Sequence, residues 1–310
     1  MKETLSAVLT KGGRKTIVGL GEVLWDMLPD GKQLGGAPAN FAYHAHALGA
    51  DAWPVSRVGD EDPGREIVAR LEEMGLPTSC VQVDADAPTG TVSVEMLEGA
   101  GHRFTIHENV AWDRIEATES TLALAARADA VCFGTLGQRC PASRTAIQTI
   151  VSATPANALR IFDINLRQNF YSWEVIEQSL QIANVLKINH EELPVLAEKL
   201  GLSGHSADQL AKLAHLYSLQ LVALTCGFQG SVLYAAGRTS RVPGRRVAVA
   251  DTIGAGDAFT AAMALGWLAR WGLGEINRRA NDVASFVCTR PGATPALPAE
   301  LIEPFKTAFG

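Results

Sequence analysis

The chain has 310 residues, 47% hydrophobic and 19% charged, with a formal net charge of -6. That is enough chain and enough apolar content for a large folded core, and it excludes a disordered protein. No run of Lys or Arg supplies the basic footprint that duplex nucleic acid needs, so no nucleic-acid partner is expected.

The first residues, MKETLSAVLTKGGRK, lack the apolar core of a signal peptide, and residues 1–15 read as a mobile polar tail. No segment approaches the ~18 uninterrupted apolar residues of a membrane span. The five cysteines are scattered and form no CxxC pair, which points to a reducing, cytoplasmic setting without zinc.

In chain order, TIVGLGEVL (16–24) reads as a first buried strand and NFAYHAHAL (40–48) as a helix ended by Gly49. AWPVSRVG (52–59) is strand-like, and GREIVARLEEM (64–74) is an amphipathic helix stopped by Gly75. From residue 130 onward ADAVCFG, LRIFDI, NVLKI and LQLVALT are strand-length runs separated by helix-length segments. Such alternation predicts an α/β fold with a mostly parallel sheet covered on both faces. Two stretches, 27–34 and 89–108, read instead as antiparallel strands, the second a hairpin around Gly99 and Gly101. Together they predict a small discontinuous β lid inserted in one domain spanning 16–310.

The segment Asp251-Thr252-Ile253-Gly254-Ala255-Gly256-Asp257 precedes a long apolar stretch rich in alanine, so its Gly-Ala-Gly turn opens a helix. Unpaired amides and the positive helix end make such a turn an anion site. A carboxylate there would repel a bound phosphate unless it serves as a general base, and Asp257 fits that role. Alternatively, the turn is a glycine-rich helix start with an Asp favoured by the dipole. Leu34-Gly35-Gly36-Ala37-Pro38-Ala39-Asn40 is a second glycine loop, in which Asn40 offers a donor and an acceptor to hydroxyls or simply caps the next helix. Neither GxxxxGK[ST] nor GxGxxG after the first strand is present.

GGAPAN (35–40) and DTIGAGD (251–257) together resemble the two signatures of the ribokinase/PfkB carbohydrate kinases. GDEDPG (59–64), Asp163-Ile164-Asn165-Leu166-Arg167, Asn189-His190-Glu191-Glu192 and Thr225-Cys226-Gly227 match further family motifs in order. The resemblance runs from Ile17 to about Pro298. It implies a ribokinase-like three-layer sandwich with a β-sheet lid, and an ATP-dependent kinase acting on a sugar hydroxyl.

By the same resemblance Gly254, Ala255 and Gly256 form an anion hole, Asp257 is the base, and Arg167 reaches phosphate or substrate. Asp26, read as the end of the first strand, would bind sugar with Gly36, Asn40, Asp257 and, from the lid, Arg103 and Phe104. Asn189, Thr225, Gly227, Gly254, Gly256 and Asn281 would line the nucleotide site. Asn189 and Glu192 would organise Mg2+ through water. A K+ site is implied as well, built from Asp251 and Ile253 with carbonyls of Val287, Arg290, Gly292 and Ala296. GEVLWDMLPDG and PTGTVSV look most like the fructokinase branch, which makes fructose the first-choice sugar. 2-keto-3-deoxygluconate follows, then ribose and nucleosides; a homodimer formed through the lid is also implied. A non-catalytic regulator would be marked by loss of the base, and Asp257 is intact.

Overall fold

The computed structural model describes residues 13–28, 31–97 and 101–309; the side chains of 94–97 and 101–104 fall outside the description. The expected sugar contacts of Arg103 and Phe104 therefore lie outside the described residues, as does most of the expected tail. Lys15, counted in that tail, is paired with Asp129 at 3.1 Å.

The chain begins with β1 (Thr16–Leu20), β2 (Leu24–Leu28), β3 (Gly31–Gly35), α1 (Ala37–Ala47), β4 (Asp51–Gly59) and α2 (Asp62–Glu73). It continues through β5 (Val81–Asp84), β6 (Gly90–Leu97), β7 (Gly101–Ile106), α3 (Glu119–Ala125) and β8 (Ala130–Phe133). Then come α4 (Pro141–Ser152), β9 (Leu159–Asp163), α5 (Trp173–Ile182), β10 (Val185–Asn189), α6 (Glu192–Leu200), α7 (Ser206–Leu216) and β11 (Leu221–Thr225). β12 (Ser231–Ala235), β13 (Arg238–Val242), α8 (Ala255–Leu268), α9 (Leu273–Val287) and α10 (Ala299–Phe309) complete it.

Nine strands form one sheet in the order β13-β12-β11-β10-β9-β8-β1-β4-β5. It is parallel from β11 to β5, and β12 and β13 close one side antiparallel. Alternation of side chains along each strand serves two cores. Ile17, Ile161, Leu221 and Ala223 pack with α1, α2, α8, α9 and α10, whereas Val18, Phe162, Val222 and Leu224 pack with α3 to α7. The result is the expected three-layer α/β sandwich. Small residues let α1 and α8 approach closely: Ala42, Ala45, Ala258, Ala261 and Ala262 are all buried in the first core. Among the described residues no helix is long and apolar enough to cross a membrane.

The second sheet has the order β3-β2-β6-β7. Its two hairpins are antiparallel, but β2 and β6 pair parallel, so the sheet is mixed rather than wholly antiparallel. The apolar run 16–24 is not one strand. It breaks at Gly21-Glu22-Val23, and Leu24 already belongs to the second sheet. The first hairpin accordingly spans 24–35 rather than 27–34, and Asp26 sits in the middle of β2 rather than at the end of β1.

Candidate active site

A cleft of about 1520 Å3 runs between the carboxyl ends of the parallel strands and one face of the small sheet. Most small-molecule sites fall in the range of roughly 300–1,000 Å3, so this one has room for two substrates side by side. Ligands of open α/β sheets bind at these strand ends because loops and helix starts converge there.

The floor is the start of α8. Gly254 adopts a left-handed conformation with φ 76°, and a Cβ on it would lie 2.2 Å from the Ala293 carbonyl oxygen. Only glycine fits that turn. The first intrahelical bond runs from the Ala258 amide to the Gly254 carbonyl at 2.9 Å, which leaves the amides of Gly256 and Asp257 without helical partners at the rim of the cleft.

Asp257 lies in the first turn and is buried, and its Oδ2 accepts a hydrogen bond from Asn40 Nδ2 at 2.9 Å. Burial, reinforced by the Asp163 charge, raises its pKa to about 6; Asn40, Lys187 and Arg167 oppose the rise. The carboxyl is thus ionised at neutral pH yet more basic than an exposed aspartate, as a general base requires. Asn40 reaches it from α1, whose start turns at Gly36. There φ is 111°, and a Cβ would meet the Glu22 carbonyl oxygen at 2.4 Å.

Around this floor the strand ends deliver their polar residues. Asp163, at the end of β9, pairs with Lys187 of β10 at 2.9 Å and accepts from Thr260 of α8 at 3.1 Å. Burial works against the Lys187 ammonium, but Asp163 and Glu192 outweigh it, and its pKa rises. Arg167 follows β9, lines the cleft, and donates to Asn165 Oδ1 at 3.1 Å. Asp26 faces the cleft with Leu24 and Leu28, the alternate positions of β2. Burial raises its pKa to about 6 against the pull of Arg167.

At the other end Thr225, Gly227 and Asn281 also line the cleft. Asn281 is buried rather than solvent-facing and donates to Ser231 Oγ and to the Asn277 carbonyl.

Asn189 and Glu192 come together, and their oxygens accept backbone amides. Asn189 Oδ1 accepts from the amides of Glu191 and Glu192 at 2.8 and 2.9 Å, capping α6. Glu192 accepts from the amides of Leu166 at 3.0 Å and Asn189 at 2.8 Å. Among the described residues no cluster of three His, Cys, Asp or Glu could hold a metal. The hydrogen bonds to these amides turn both side chains toward the backbone, an arrangement suited to meeting Mg2+ through water.

The expected cation-site segments do meet: Asp251 accepts from the amides of Ile253 at 3.0 Å and Gly292 at 3.1 Å, and Cys288 O accepts from the Ala250 amide at 2.9 Å. Val287 O accepts from the Arg290 amide at 3.0 Å, while Ala296 is exposed.

Sequence reasoning passed over Glu22, Lys187, Arg245 and Arg246, all of which line the cleft. For Lys187 a signal existed, since a lysine inside an apolar strand-length run is rarely buried without a partner.

Comparison with known proteins places the chain. The model of the pfkB family carbohydrate kinases matches residues 30–300. Fructokinase-1 of Zea mays is 30% identical over 93% of this chain and 96% of its own length. An uncharacterised sugar kinase from Pyrococcus horikoshii, solved in complex with ATP, is 28% identical with a TM-score of 0.77, covering 90% of this chain and 94% of that one. A fructokinase from Xylella fastidiosa has a TM-score of 0.81 at 23% identity, over 94% and 98% of the two chains. The chain belongs to the pfkB family of carbohydrate kinases.

Proposed function

We propose that this sugar kinase transfers the γ-phosphoryl group of ATP to a hydroxyl of a small sugar, with fructose as the first candidate. One observation carries the reading. A buried carboxylate, Asp257, lies beside unpaired helix-start amides in a cleft that it shares with polyol partners (Asp26, Asn40) and the Thr225–Gly227 turn.

In this reading the sugar hydroxyl sits against Asp257 Oδ1, since Oδ2 is held by Asn40. Asp257 accepts the hydroxyl proton as the sugar oxygen bonds to the γ-phosphorus and the bond to the ADP oxygen breaks. The Gly256 and Asp257 amides hold the transferred oxygens, the Ala255 amide being turned to the Thr252 carbonyl at 3.3 Å, and Arg167 steadies their charge. ATP as donor is supported by the ATP complex of the P. horikoshii relative, and fructose by the maize fructokinase.

Mg2+ would arrive on the triphosphate, with Asn189 and Glu192 reaching it only through water. K+ between the 251–253 and 287–296 segments, a homodimer through the open edges of the small sheet, and a cytoplasmic location belong to the same reading; the five free cysteines fit the last.

ATP consumption against fructose, 2-keto-3-deoxygluconate, ribose and adenosine tests the substrate, with Asp257→Asn as the control. The variant should lose roughly 10²–10⁴-fold in kcat while still binding ATP. Near-normal turnover in Asp257→Asn would remove Asp257 as the base.

A further inference from the structure

We propose that Glu22 is the proton-holding partner of Asp257, a neutral carboxylic acid that donates through one buried water and leaves Asp257 as the anion of the pair. The inference rests on the reading of Asp257 as the base.

Glu22 occupies the break between the two sheets and is 6% exposed. Its Oε2 is buried and has no hydrogen-bond donor among the described protein atoms. A buried anionic oxygen without a donor is strongly disfavoured, whereas a protonated one needs only an acceptor. An acceptor route exists: Glu22, Asp163, Asn165 and Asp257 share the walls of a cavity of about 10 Å3, room for about one water.

Of the two carboxyls, Asp257 is the better anion, because Asn40 donates to it and Lys187 and Arg167 lie nearby. The charged groups facing Glu22 are Arg167 from the loop after β9 and Asp257 from α8. Its own amide and the Ala37 amide of α1 donate to its carboxyl and hold the rise in check. From β8 it faces the Cys132 thiol, which burial keeps protonated, and from the loop after β8 the uncharged Gly137. Burial is the main reason its pKa rises from 4.5 to about 7. The acid is therefore neutral below that value and becomes a second anion beside Asp257 above it.

The consequence is an alkaline limb. As pH rises past about 7, the Glu22 charge would oppose both Asp257 and the incoming phosphoryl group, and wild-type kcat should fall about tenfold by alkaline pH. Glu22→Gln mimics the neutral acid, so its kcat should show no alkaline fall, whatever its level at neutral pH. A merely structural Glu22 would leave the shape of the pH profile unchanged.

The second measurement uses the wild-type protein alone. Infrared spectra with isotope-labelled glutamate should show a protonated carboxyl band that titrates away near pH 7. Burial pushes up the pKa of Glu192, the other buried glutamate among the described residues, so the band is assigned to Glu22 by its loss in Glu22→Gln. An unchanged alkaline fall in Glu22→Gln, or no protonated band in the wild type on the acid side, overturns the proposal. An active Asp257→Asn variant would overturn the base and leave the infrared band as it was, so the two readings fail separately.

Discussion

The two sheets present their cleft residues in unequal ways. On the nine-stranded sheet the polar groups at and just after the ends of β9 and β10 are already engaged: Asp163 with Lys187 and Thr260, Glu192 with two amides, Asn189 with the start of α6. On the four-stranded sheet Asp26 makes no hydrogen bond to another described protein group, and its Oδ2 rests over Gly35, where a Cβ would come within 2.3 Å. The difference separates tasks. Groups that must sit in one place during phosphoryl transfer are fixed before substrate arrives. Groups that recognise the sugar keep their hydrogen-bonding capacity for it.

Three experiments press on that contrast. The largest effect belongs to the engaged side. Lys187→Met removes one partner of a buried pair and strands Asp163, which should cost about 3–5 kcal/mol of stability. Urea unfolding measures it; a loss under about 1 kcal/mol would mean that the network is solvated and the contrast false.

On the free side, Asp26→Asn should barely change stability but should raise the sugar KM about 10–100-fold, the worth of one or two hydrogen bonds to a charged acceptor. The ATP KM should stay put. Equal rises in both constants would show that Asp26 shapes the whole cleft and not the sugar end alone.

The smallest effect concerns motion. Sugar should slow amide exchange in β2, β3, β6 and β7 while leaving β9 and β10 unchanged, because closure of the small sheet excludes water from the transfer. Protection spread evenly over both sheets would argue for rigid docking.

The central sheet was legible because its strands are near-continuous apolar runs, and LRIFDI, NVLKI and LQLVALT became β9, β10 and β11. The glycine turns were legible too, since DTIGAGD and GGAPAN each combine residues that have little use outside close backbone approach. The break at Gly21–Val23 was hidden inside an apolar run, where nothing in residue type marks a change of sheet. Glu22 shared that concealment: one acid in such a run gives no hint of an unpaired buried oxygen. Arg245 and Arg246 sit in an irregular segment whose path depends on the rest of the fold, so periodicity could not bring them to the cleft.

The bond from Asn40 to Asp257 joins residues 217 positions apart, and that distance bears on how the protein is made. During synthesis α1 emerges long before α8, its packing partner in the first core. Until then Phe41, Ala42 and Ala45, all fully buried in the finished protein, must lie against an incomplete surface. Contacts of such long range form late and slowly. The ribosome therefore releases a chain whose N-terminal half has had to wait for residues 255–268 to cover the side of its first helix that faces away from β1 and β4, and a nascent chain cut before them has an apolar face for chaperones to shield.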